Sequence, residues 1–124
     1  MPELITSPEL IPVPGGKQIN EYVGRVRTGD SAASVAHMIA PAGWSEPEQT
    51  PQFDEFTLVL KGVVRVESAG NVIDVRAGQA VVTRAGETVR YSVPSADEAG
   101  SETTEYVAVC VPAFAPDLAH RAAD

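Results

Sequence analysis

The chain has 124 residues, of which 44% are hydrophobic and 21% charged, with ten glycines and ten prolines. That length suits one domain over residues 1–124 with one modest core, and so many breakers exclude a helical bundle. A formal net charge of −8 argues against nucleic acid and anionic membrane as partners, because both reward clustered Lys and Arg.

Residues 1–16, MPELITSPELIPVPGG, carry Pro2, Pro8, Pro12 and Pro14. They are predicted to form an extended arm, lying over the surface or onto a neighbouring subunit. The arm has no basic region followed by an apolar run, so no signal peptide is read there. No stretch approaches the length of a membrane span. The one cysteine, Cys110, excludes an internal disulfide and agrees with a reducing compartment, so the expected location is the cytoplasm.

Glu21–Arg27 and Ser34–Ile39 are β-like runs, the second stopped by Pro41-Ala42-Gly43. Trp44–Asp54 is polar and holds Pro47 and Pro51, so it is predicted to be irregular. Strands are predicted at Glu55–Leu60, Val63–Glu67, Val72–Val75, Ala80–Thr83 and Thr88–Val93. Gly62, Ala69-Gly70-Asn71, Ala77-Gly78 and Ala85-Gly86-Glu87 supply the turns between them. Asp97–Ser101 is expected to be a polar loop, Glu105–Val111 a last strand, and one helical turn is expected after Pro116. Short strands recurring between turn signals predict an all-β antiparallel sandwich or barrel.

The glycine and glutamate spacing in the middle of the chain resembles the cupin family. Its first motif runs Gly, five residues, His, one residue, His, three or four residues, Glu, six residues, Gly. Gly43, Gln49, Pro51, Glu55 and Gly62 fall on those positions without a gap. The second motif runs Gly, five residues, Pro, one residue, Gly, two residues, His, three residues, Asn. Here Gly78, Arg84, Gly86, Val89 and Val93 take its positions. The two motifs span residues 43–93. The resemblance implies an antiparallel double-stranded β-helix, the cupin jelly-roll barrel, with the N-terminal arm added.

Cupins generally hold a transition metal with three histidines and one glutamate. Of that set only Glu55 is present, so no metal and no cofactor are expected at the usual site. A rearranged site would draw on Glu46, Glu48, Gln49, Asp54, Glu55 and His37, but a solvated acidic loop is the preferred reading of that run. The histidine-poor ethanolamine-utilisation cupins look similar. Sugar-nucleotide epimerases resemble the chain in using acid–base side chains inside a barrel. Small polyketide-cyclase-like cupins of bacterial secondary metabolism are a third comparison.

If Glu55 points into the barrel as its family counterpart does, Thr57 and Val59 point the same way. Phe56, Leu58 and Leu60 then face another packing layer. Val89, Tyr91 and Val93 also point inward. The expected pocket has Val59, Val89, Tyr91, Val93 and Trp44 as walls. Glu55, Gln49, Thr57 and Arg84 supply polarity, Arg84 standing near the mouth to meet an anionic ligand.

The resulting expectation is a metal-independent enzyme on a small organic molecule, working by proton transfer as an isomerase, cyclase or lyase. Glu55 is its candidate acid or base, aided by Gln49 and Tyr91. Trp44, Glu46, Glu48, Thr57, Val59, Arg84, Val89 and His37 are candidate ligand contacts. Each has a plainer alternative: a structural carboxylate for Glu55, loop solvation for Glu46 and Glu48, a satisfied strand histidine for His37. No nucleophile has a partnered base, which disfavours triad hydrolysis. The alternatives kept open are a non-catalytic ligand-binding or accessory module and a metal enzyme with a rearranged site. By resemblance, a homodimer is expected.

Overall fold

The computed structural model describes residues 1–122. Nine strands carry the fold: β1 (Glu9–Ile11), β2 (Gln18–Val23), β3 (Ser34–Pro41), β4 (Asp54–Lys61), β5 (Val63–Ser68), β6 (Asn71–Arg76), β7 (Ala80–Thr83), β8 (Arg90–Ser92) and β9 (Thr103–Val111). Two single-turn helices follow β8 and β9: α1 (Ala96–Ala99) and α2 (Pro116–Ala119). No helix among the described residues is long and apolar enough to cross a membrane.

Period-two alternation decides which side chains go inside. Along β4, Glu55, Thr57 and Val59 are buried while Phe56, Leu58 and Leu60 are exposed. Along β9, Thr104, Tyr106, Ala108 and Cys110 are buried. Strands of this kind bury one face and need a second sheet to cover it. The chain supplies two antiparallel sheets, one in the order β1-β2-β3-β9-β4-β7 and one in the order β6-β5-β8. Between them lies a core of Ala40, Trp44, Val59, Val64, Val66, Val75, Val89, Tyr91, Val93, Tyr106 and Ala108.

Two expectations change. The run expected at Glu21–Arg27 is strand only as Gln18–Val23, because the chain turns at Gly24. The buried Glu21 carboxylate packs into that turn and accepts the N–H groups of Val26 and Arg27 at 3.0 Å each. A side chain at Gly24 would meet Glu21 Cδ at 2.6 Å. Second, Phe56, Leu58 and Leu60 face solvent on the outside of the larger sheet, and among the described residues no further layer covers them. The proline-rich arm takes the first of its two expected courses, over its own chain, where β1 pairs with β2 through Leu10 opposite Asn20.

The irregular segment 44–54 is stitched to the barrel instead of forming a strand. Gln49 and Val89 exchange both backbone hydrogen bonds, at 2.8 and 2.9 Å. The two glycine-rich motifs therefore meet edge to edge. The tail then crosses the same segment: Gln52 N–H donates to Leu118 at 2.8 Å, and Ala122 N–H to Glu48 at 2.7 Å. Ala119 is fully buried with Phe53 and Cys110 in a second small cluster, which pins this strap.

Candidate active site

A cavity opens between β2, β3, β9 and the strap. Its inner chamber is small, with a free volume of about 30 Å³. Ile19, Ala36, Met38, Ala108 and Phe114 give it apolar walls, and Glu55 and Cys110 reach it from β4 and β9. A wider outer chamber of about 220 Å³ adds Val13, Pro14, Gly15 and Trp44. Lys17, Ile19, Glu46 and Arg121 belong to both and form the neck. The apolar walls with a few convergent polar groups are the kind of lining a small-molecule site has.

Glu55 is 9% exposed. Its hydrogen bonds are long: Thr57 Oγ1 donates to Oε2 at 3.4 Å and Cys110 Sγ to Oε1 at 3.9 Å. Among the described residues no basic group comes within 4.0 Å of it. Burial therefore dominates and raises its pKa to about 7, against the opposing pull of Lys17. Burial also pushes the Cys110 thiol up, so it is a poor nucleophile.

The cationic side of the cavity comes from two residues that no motif marked. Lys17, just before β2, holds its ammonium 4.3 Å from the centre of the Trp44 ring and 5.3 Å from that of Tyr106. Arg121, on the strap, bridges Glu46 Oε2 at 3.5 Å and donates from Nε to Gln49 Oε1 at 3.5 Å. Burial lowers the Lys17 pKa, while Glu46 and Glu55 oppose that change.

The structure brings Glu55, Gln49 and Glu46 together on the cavity wall, with Trp44 at the outer chamber and Thr57 behind Glu55. Val59 and Val89 point inward, as alternation requires, but pack into the core between the sheets and do not line the cavity. Tyr91 belongs to that core too, its hydroxyl 2.7 Å from Thr83, the residue opposite Glu55. Three candidates lie elsewhere. His37 points out from β3 and pairs with Glu105 at 3.0 Å, because its neighbours Ala36 and Met38 take the inward positions. Arg84 is exposed, 3.7 Å from Asp54, over the outer ring of Phe56. Glu48 is exposed, and its backbone carbonyl holds Ala122.

Tyr91 thus has a structural partner. Tyr91→Phe is expected to leave turnover within about threefold while costing about 1 kcal/mol of stability, read by activity assay and urea unfolding.

Two antiparallel sheets packed over one core, with a cavity against the larger sheet and the two glycine motifs joined edge to edge, define a cupin barrel. The chain belongs to the EutQ-like cupin domain family, whose model matches residues 29–106. A curated relative, Endoribonuclease YbeY of Myxococcus xanthus (strain DK1622), is 42% identical over 112 residues. The match takes in 90% of this chain and 36% of that protein, so the chain spans about a third of the relative's length. Among solved structures, ethanolamine utilization protein Q from Salmonella typhimurium LT2 is 19% identical with a TM-score of 0.59, over 79% of this chain and 71% of that one. A Streptomyces PAC13 variant with uridine is 14% identical with a TM-score of 0.72, over 98% and 89%. KdgF from Halomonas sp. is 14% identical with a TM-score of 0.69, over 88% and 89%. At these identities the structures establish the fold alone.

The positions that hold metal in many cupins are filled here by Gln49, Pro51, Glu55 and Val89. Pro51 and Val89 have no side-chain donor. Among the described residues no group of three or more His, Cys, Asp or Glu is placed to hold an ion. The wider set of Glu46, Glu48, Asp54 and His37 is scattered between the neck, the rim and the outer face. These residues do not fit the metal.

Proposed function

We propose that this chain is a small-molecule enzyme of the proton-transfer type, an isomerase, cyclase or lyase, with Glu55 as its acid or base. One observation carries this reading: a carboxyl group stands in the wall of an apolar cavity with only long internal hydrogen bonds. A buried carboxyl is costly to keep unless its proton is used or its partners are complete. A pKa of about 7 matches a group that must both take and give a proton near neutral pH. Gln49 and Glu46 supply polar contacts around it. The uridine in the PAC13 structure agrees with a barrel of this fold taking a small polar organic ligand. The test is a pH profile of turnover on a substrate found by screening. One limb is expected near pH 7 and is expected to vanish in Glu55→Gln; a profile flat through that range in the native protein sinks the proposal.

A second reading, an accessory ligand-binding module, draws support from the Myxococcus relative, in which the matching region is 36% of a longer protein. Ligand binding without turnover on any bound compound favours it. The nuclease name of that relative is not carried to this chain, whose net charge of −8 opposes RNA binding.

The homodimer also stands as a proposal. The outer face of the larger sheet exposes Phe56, Leu58, Leu60 and Val82, an apolar group suited to pairing with a second copy. Light scattering is expected to give twice the 13.0 kDa chain mass, and the mass of one chain excludes the pairing.

A further inference from the structure

The cavity holds five charged side chains, and the protein accounts for four of them. Glu21 is tied to the backbone N–H groups of its turn. Glu46 and Arg121 pair with each other. Glu55 keeps its proton up to about pH 7. Lys17 remains. Among the described residues its ammonium donates no hydrogen bond and has no carboxylate within 4.0 Å. It is held over two aromatic faces at the neck, the lining that the two chambers share.

We propose that Lys17 anchors the carboxylate of a small monoanionic acid, whose body lies in the wider outer chamber beside it. This rests on the small-molecule reading of the site given above. A single ammonium with three free donors matches one carboxylate. A doubly charged phosphate would bring more charge than one ammonium offsets, beside the Glu46 carboxylate on the same wall. The outer chamber is lined by Val13, Pro14, Ile19 and Trp44, which calls for an aliphatic or aryl body. Trp44 and Tyr106 fix the ammonium before the ligand arrives, so little side-chain freedom remains to be lost on binding. Burial has already lowered the Lys17 pKa, and an incoming carboxylate offsets that by favouring the charged amine.

The test is equilibrium binding to the full chain by calorimetry, using benzoate and hexanoate with benzamide and hexanamide as uncharged counterparts. At least one acid is expected to bind at least about tenfold tighter than its amide. Lys17→Met, which keeps the apolar stem, is expected to remove that preference, and Lys17→Arg to keep it. Failure of both acids to bind, equal binding of acid and amide, or a preference that survives in Lys17→Met each overturns the anchor. The acid–amide comparison on the native protein stands even if a variant fails to fold. Glu55→Gln is expected to retain the preference for acids. If that variant keeps its turnover, the acid–base reading fails and the anchor stands; if only the preference for acids is missing, the reverse holds.

Discussion

In Glu55→Gln, turnover is expected to fall by at least about a hundredfold, the ordinary share of a positioned acid or base. Ligand affinity is expected to stay within about threefold, because the amide keeps the shape of the group and one carbonyl oxygen. The same substitution is expected to stabilise the protein above neutral pH. In the unfolded chain a glutamate releases its proton near the ordinary value of 4.5, whereas in the fold Glu55 keeps it to about pH 7. Folding therefore binds a proton between those values. The contribution of Glu55 to stability is full below about 4.5 and is lost as pH rises through about 7. The gap corresponds to at most about 3 kcal/mol. Glutamine does not titrate, so the variant is expected to match the native protein at pH 4 and to exceed it at pH 8. Urea unfolding at the two pH values reads the difference. Equal stability at pH 8 would mean that Glu55 is not desolvated as described.

The largest loss of stability is expected at Gly62. Its φ is 80°, a left-handed conformation that side chains other than glycine adopt at a cost. An added Cβ would lie 2.2 Å from Thr104 Oγ1 and 3.0 Å from Thr104 Cα. Thr104 is fully buried, and its hydroxyl accepts from Val63 N–H at 3.1 Å and donates to Val63 C=O at 3.2 Å. Making room would displace β9 from the start of β5 and break both bonds. Gly62→Ala is expected to cost about 3 to 5 kcal/mol. Gly78→Ala has a similar φ of 82° with nothing within 4 Å, so it isolates the backbone term at about 1 kcal/mol. Denaturant midpoints for the two variants compare the effects directly; equal losses would remove the steric account.

The barrel was legible because its signals are local. Alternation in Glu55–Leu60 and Val63–Glu67, with turn residues between, writes strands and faces into short stretches of sequence. Glu55 was found through motif spacing and stands in the cavity wall. Alternation gives the direction of a side chain but not its depth along the barrel, which is why Val59 and Val89 point inward yet miss the cavity. Nor does it say whether a second layer exists, which is why Phe56 and Leu58 meet solvent. Lys17 and Arg121 lie 104 positions apart and follow no motif. Only the pairing of the arm with β2, and of the strap with segment 48–52, sets them on one cavity.

Trp44 is the chain's single tryptophan, and the Lys17 ammonium rests on its ring at the neck. The protein therefore carries its own optical reporter. Its near-ultraviolet emission comes from one indole, free of overlap from others, and that indole feels the charge beside it. An acid that seats its carboxylate on the ammonium offsets that charge and changes the emission without any attached dye. The whole search for a substrate is thus open to a plate-reader titration, with Lys17→Met as the dark control.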